Sequence, residues 1–311
     1  MVYKVATITL NPAYDLVGFC PNIEVGDVNL VKMAGLHAAG KGINVAKVLN
    51  DLGVDICVSG FLGEQNSEGF TQLFKQMNVD NQFQMIAGQT RINVKLTEKN
   101  GEVTDLNFSG FTVKSKDWQY FSQYTVKLFN HFDMISVNGS LPEGIEPDAF
   151  AAWLKSLIHI CPRVVFDSSR EAFNIGLQAK PWLIKPNDKE LSMWLGRPLH
   201  GVTDIVSTAK KLVAESIENV VVSLGSKGAV WVTKKEAWLA RPPVCNVVST
   251  VGAGDSMVAG LMYGMLMKKS IKETLCLASS IAALAVGQTN VGITDKKILL
   301  NMMDRIILTE I

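Results

Sequence analysis

Charge imbalance, cysteine and long apolar runs are all scarce in this chain, and each shortage removes a class of explanation. Lysine and arginine number 30 against 29 aspartates and glutamates, a formal net charge of +1. No bulk electrostatic grip on nucleic acid or on an anionic membrane is therefore expected. The five cysteines (Cys20, Cys57, Cys161, Cys245 and Cys276) are odd in number and widely spaced. They match neither a zinc-ligand spacing nor a disulfide framework, and they point to a reducing compartment. The four histidines (His37, His131, His159 and His200) form no metal pair and flank no G-x-S-x-G nucleophile elbow. No apolar stretch approaches the roughly 20 residues needed to span a bilayer. Met1–Ala6 enters a strand-like run at once, without a leader pattern. What is present is a globular composition, with 48% hydrophobic and 19% charged residues over 311 positions. That is enough for one large core with a small appendage, in a cytoplasmic domain.

Hydrophobic periodicity alternates between strand and helix for most of the length. Val5–Leu10 reads as a strand closed by Asn11-Pro12, and Val45, Val48, Leu49 and Leu52 place a helix over Asn44–Gly53. Further strands are expected at Val54–Phe61, Phe132–Val137, Arg163–Phe166, Trp182–Lys185 and Val220–Leu224. Helices are expected at Asp117–Asn130, Pro147–His159 and Thr203–Ser216. Such alternation predicts an α/β fold with a mostly parallel sheet covered on both faces, and ligands beyond the carboxyl ends of its strands. One segment departs from the pattern. Arg91–Thr97 alternates with period two, Asn100-Gly101 supplies a turn, and Glu102–Phe108 returns. With Tyr14–Phe19 and Asn29–Met33 this hairpin reads as a small β lid, built from about 13–34 and 88–111.

The strongest chemical signal is Thr250-Val-Gly-Ala-Gly-Asp-Ser256 ahead of a long apolar helix. Gly252 and Gly254 let a ligand approach the backbone, and the helix start points free N–H groups at an anion. Asp255 then stands beside that anion, able to take a proton from a hydroxyl or simply to complement the helix dipole. A helix start favours its ionised form, which weakens it as a base. Ser223-Leu-Gly-Ser-Lys-Gly228 follows a buried strand and suits either a nucleotide-lining turn or a plain β turn. Asn187 and Glu190 have the spacing of a capping box, and the same pair could hold magnesium through water. Gly35–Lys41 fits the first seven positions of a P-loop, but Gly42 stands where its Ser/Thr belongs. Arg163–Asp167, an apolar strand ending in Asp, could serve as the second half of such a site. Asp15, Ser140 and Arg91 are loop or strand-end residues within reach of a crevice.

In this order the motifs Asn11-Pro-Ala-Tyr-Asp15, Ala39-Gly-Lys-Gly-Ile-Asn44, Thr90-Arg91, Gly139-Ser-Leu-Pro142, Lys185-Pro-Asn187 with Glu190, Ser223-Leu-Gly225 with Gly228, and Thr250–Ser256 resemble the ribokinase-like (PfkB-type) sugar kinases over essentially the whole chain. The likeness is greatest to the branch acting on fructose and tagatose phosphates. It implies a three-layer sandwich with a β lid, and ATP-dependent phosphorylation of fructose 1-phosphate at O6. Tagatose 6-phosphate or fructose 6-phosphate is the alternative substrate. A P-loop-like NTPase using Gly35–Lys41 and a catalytically silent sugar-phosphate sensor are readings of other classes. By the resemblance Asp255 is the base and Gly252, Ala253 and Gly254 form the anion hole. Lys185, Asn187, Glu190, Ser223, Gly225, Ser226, Gly228 and Thr250 face ATP with Mg2+, while Asp15, Gly40, Asn44 and Ser140 hold the sugar. Arg91 and Lys41 meet its existing phosphate, and the lid implies a homodimer. Ala39 departs from the family's first glycine, and its methyl is expected to narrow the sugar loop.

Overall fold

A computed structural model describes residues 3–288, 291–293 and 295–311. In chain order, β1 (Lys4–Thr9), β2 (Ala13–Phe19) and β3 (Lys32–Ala39) lead into α1 (Lys41–Asp51). Next come β4 (Asp55–Gly63), α2 (Glu68–Met77), β5 (Asp80–Ile86), β6 (Arg91–Thr97) and β7 (Val103–Asn107). The middle of the chain runs α3 (Ser115–Leu128), β8 (Met134–Asn138), α4 (Pro147–Ile160), β9 (Val164–Asp167), α5 (Arg170–Leu177), β10 (Leu183–Ile184), α6 (Asp188–Leu195) and α7 (Gly201–Ala214). It closes with β11 (Asn219–Ser223), β12 (Ala229–Val232), β13 (Ala237–Arg241), α8 (Ala253–Leu266), α9 (Ile271–Val286), α10 (Lys296–Met303) and β14 (Ile307–Glu310).

Ten strands form one sheet in the order β14-β13-β12-β11-β10-β9-β8-β1-β4-β5. Pairing is parallel from β5 through to β11, and antiparallel across β12, β13 and β14. Each face carries its own core. Ala6, Ile8, Val137, Val164 and Phe166 pack with Phe121, Trp153 and Leu154 of α3 and α4. Val5, Met134, Val165 and Leu183 pack with Val45, Val48, Val258 and Leu261 of α1 and α8. The expected α/β sandwich is therefore present. Because side chains alternate along a strand, this division also fixes where the polar strand ends point. Thr9, Asn138, Asp167 and Lys185 all follow apolar residues of the α3/α4 face, so they turn toward α1 and α8. Thr9, Asn138 and Asp167 lie in one register row.

The small sheet has the order β3-β2-β6-β7, with β2 and β6 parallel. Its rows alternate in chemistry. Leu36, Leu16, Val94 and Leu106 form one cross-strand row, and His37, Asp15, Asn93 and Asn107 form the next. One difference from expectation is the third strand, which runs over Lys32–Ala39 and not Asn29–Met33. Gly35–Ala39 is thus extended strand, hydrogen-bonded antiparallel to β2 at the sheet edge, and not a loop whose successive amides converge on one point. That removes the P-loop reading, which needs free amides in a loop.

Candidate active site

The site lies where the carboxyl ends of β1, β8 and β9 meet the starts of α1 and α8. Gly252 caps α8 with φ of 76°, a left-handed conformation that favours glycine. A Cβ there would sit 2.2 Å from Val291 Cγ2, so the turn requires glycine for space as well. One turn inside, Asp255 is only 6% exposed and accepts a hydrogen bond from Asn44 Nδ2 at 2.8 Å. Burial dominates its titration and, despite the attraction of Lys41, raises its pKa to about 6. The weakening expected from the helix dipole is therefore outweighed by desolvation, and the carboxylate is a stronger base than an exposed aspartate.

Two lysines approach this carboxylate. Lys185 is buried, and a Cβ on Gly254 would lie 3.3 Å from its Nζ, so the ammonium rests along the Gly252–Gly254 turn. Lys41, in the first turn of α1, has a side chain 37% exposed. Burial disfavours its charge, but Asp167, Asp255 and Glu190 outweigh that and hold the ammonium above its ordinary range. Gly40 precedes it, and Ala39 is buried opposite Ala13 at the end of β3. The Ala39 methyl is accordingly part of the sheet packing.

Asn187 and Glu190 form a complete capping box at the start of α6. Glu190 N donates to Asn187 Oδ1 at 2.7 Å, and Asn187 N donates to Glu190 Oε2 at 2.8 Å. The capping reading therefore holds, and it leaves Glu190 Oε1 uncommitted by the box. Burial pushes the Glu190 carboxyl upward. Asn187 also bridges to Ser223, which brings the start of the Ser223–Gly228 turn beside α6. Gly225 and Ser226 lie in that turn and Gly228 ends it. Thr250 stands just before the α8 cap.

On the other side Asp15 accepts from Asn93 Nδ2 at 3.3 Å, and burial raises its carboxyl. Arg91 Nη2 donates to the Asn11 carbonyl at 3.2 Å, and burial lowers its guanidinium. Ser140 Oγ accepts from Asn11 Nδ2 at 3.1 Å. Asn11 enters the sequence reading only as part of the Asn11–Asp15 motif, and Asn93 and half-buried Lys47, one turn beyond Asn44, are not singled out there. The sequence signal for Asn93 and Lys47 is nearness to Arg91 and Asn44.

A buried acid beside a glycine turn and two ammoniums suits phosphoryl transfer to an alcohol. Residues 4–298 match the pfkB family carbohydrate kinase model. The chain belongs to that family and is a carbohydrate kinase. It is 58% identical over 306 residues to the 1-phosphofructokinase of Escherichia coli (strain K12), covering 98% of each chain. It is 49% identical over 309 residues to the 1-phosphofructokinase of Haemophilus influenzae, covering 99% of each. Among solved structures, a mutant of phosphofructokinase-2 from Escherichia coli superposes with a TM-score of 0.89 at 25% identity, over 98% of this chain and 99% of that one.

Proposed function

We propose that the chain transfers the terminal phosphoryl group of ATP to the 6-hydroxyl of fructose 1-phosphate, giving fructose 1,6-bisphosphate and ADP. The observation that carries this reading is Asp255, buried, held by Asn44 and adjoining the Gly252–Gly254 turn. Support for the substrate comes from the relatives at 58% and 49% identity, which are named for that reaction. Asp255 takes the O6 proton as O6 bonds to the γ-phosphorus, and the bond to the bridging oxygen breaks with its electron pair leaving on ADP. The backbone N–H groups of Gly252, Ala253 and Gly254 and the Lys185 ammonium hold the moving negative charge. Asp15, Gly40, Asn44 and Ser140 orient the sugar, and Lys41 and Arg91 meet its phosphate. Ser223, Gly225, Ser226, Gly228 and Thr250 line the nucleotide.

Magnesium fits the donor set only as an ion held mainly by the triphosphate. Among the described residues no three His, Cys, Asp or Glu side chains converge on one point, and Asn187 with Glu190 Oε1 would reach the ion through water. When bound it supplies charge neutralisation of the polyphosphate. The β2-β3-β6-β7 sheet serves as a lid, from about 13–34 (extended to Ala39) and 88–111, and its apolar row as the face of a homodimer. Five unpaired cysteines suit the cytoplasm.

Steady-state kcat/KM on fructose 1-phosphate, fructose 6-phosphate and tagatose 6-phosphate tests the substrate, with the product's phosphate positions read by NMR. Fructose 1-phosphate is expected to lead. Preference for either 6-phosphate would move the chain to a sibling activity.

A further inference from the structure

Asp167 has no part in the reaction as described above, yet it is the most completely enclosed charge at the site, 1% exposed. It ends β9, and strand alternation turns it toward α1 and α8. Lys41 Nζ lies 3.4 Å from its Oδ2 and Lys185 Nζ 3.3 Å from its Oδ1. Oδ1 has no hydrogen-bond donor among the described residues, so the Lys185 ammonium is what balances that oxygen. Burial works against the charge of Asp167, but Lys185 and Lys41 outweigh it and keep the carboxyl below its ordinary range.

The two lysines come from different parts of the chain. Lys41 starts α1 beside the sugar residues Gly40 and Asn44, and Lys185 follows β10 beside the glycine turn and the nucleotide side. Each has a long flexible stem that loses much freedom when fixed, whereas Asp167 is carried by a central strand. An ammonium has three donors, so one can be spent on Asp167 while the others face the substrates. Asp255 and Glu190 also act on Lys41, so the two ammoniums are held among three carboxyl groups before a phosphate enters.

Resting on the phosphoryl-transfer reading above, the geometry points to Asp167 as a positioning residue that aims Lys41 and Lys185 from one carboxylate at the two substrates between which the phosphoryl group passes. Asp167 touches neither substrate in this role. It acts by fixing both cations at once, which couples the sugar-phosphate and nucleotide sides of the site.

The test is steady-state kinetics of Asp167→Glu, which keeps the charge but moves the carboxylate by one methylene. Asp167→Asn is run beside it, and thermal unfolding is recorded for each. A displacement on the order of 1 Å is expected to lower kcat about 100-fold and to raise KM for both ATP and fructose 1-phosphate. In a Lys41→Gln/Lys185→Gln background the same change is expected to cost less than about threefold. Near wild-type kinetics in Asp167→Glu would overturn the assignment. So would a loss of kcat with both KM values unmoved, since that reports only less active enzyme, or a fully additive loss in the Lys41→Gln/Lys185→Gln background. If Asp167→Asn does not fold, Asp167→Glu alone decides. Asp255→Asn serves as the control: turnover surviving that change strikes the reaction reading, whatever Asp167 does.

Discussion

Asp255 combines two requirements that conflict. In its proposed role as a base it needs to be ionised at working pH, yet burial makes ionisation costly and lifts its pKa to about 6. Below that value the carboxyl of the free enzyme is protonated and cannot accept the hydroxyl proton, so log kcat/KM is expected to fall with unit slope on the acid side of pH 6 and to be flat just above it. Asp255→Asn should lower kcat about 10²–10⁴-fold with ATP binding by calorimetry nearly intact. The same shift bears on stability. A raised carboxyl pKa contributes stability that is fully present below the unfolded value, near 3.8, and lost as pH rises through about 6. Asn resembles the protonated form, so at neutral pH Asp255→Asn should gain up to about 3 kcal/mol over the wild type. Urea unfolding between pH 4.5 and 7.5 should show this gain shrinking as the solution is acidified. A gain independent of pH would exclude the ionised buried carboxylate as its source.

At the scale of the element, the start of α6 separates a structural role from a binding role. Asn187→Ala removes the cap and should cost about 1 kcal/mol of stability, read from denaturant midpoints. Asn187→Asp retains a capping oxygen and should leave the midpoint in place while changing the dependence of kcat on free magnesium. If both variants keep the wild-type magnesium titration, the pair acts as a cap and nothing more. The sequence pattern for this element was fully legible, because capping spacing is local. The same holds for Arg91–Thr97, whose period-two alternation gave the strand with both ends right. Helix α1 begins at Lys41, three residues before the Asn44 expected, since the signal used was the apolar stripe and not the break at Gly40. Strand β5 begins Asp80-Asn81-Gln82 at a sheet edge, where one flank is wet and no apolar run announces it. Asp167 reads in the sequence as the polar end of an apolar strand and a companion to the Lys41 loop; Lys41 is one of its two partners, though not within a P-loop. Its pairing with Lys185 depends on β9 and β10 being neighbours, a long-range fact with no local trace.

For the whole molecule, the small sheet leaves Leu36 and Leu106 about half exposed, at 51% and 49%, at the two ends of one apolar row. Met33 and Ile92 extend that exposure on the same face. Such a face is expected to be covered by a second copy. Leu106→Glu should shift the sedimentation coefficient from dimer to monomer at micromolar concentration, while a wild-type value would exclude this face as the contact. The existence of a two-faced ribbon was visible in the alternation of β6. Its extension through Gly35–Ala39 was masked by a glycine and lysine pattern that mimics a phosphate loop.

In the roles proposed above, the two sides of that ribbon have opposite duties. Asp15 and Asn93 stand on one side and Leu16 and Val94 on the other, as immediate neighbours in the chain. A single-residue insertion ahead of Asp15 in β2 would invert the strand, presenting a leucine to the carbohydrate and an aspartate to the neighbouring subunit. Under that proposal ligand recognition and self-assembly are tied to one alignment of backbone, and a frame slip there is expected to abolish both in the same stroke.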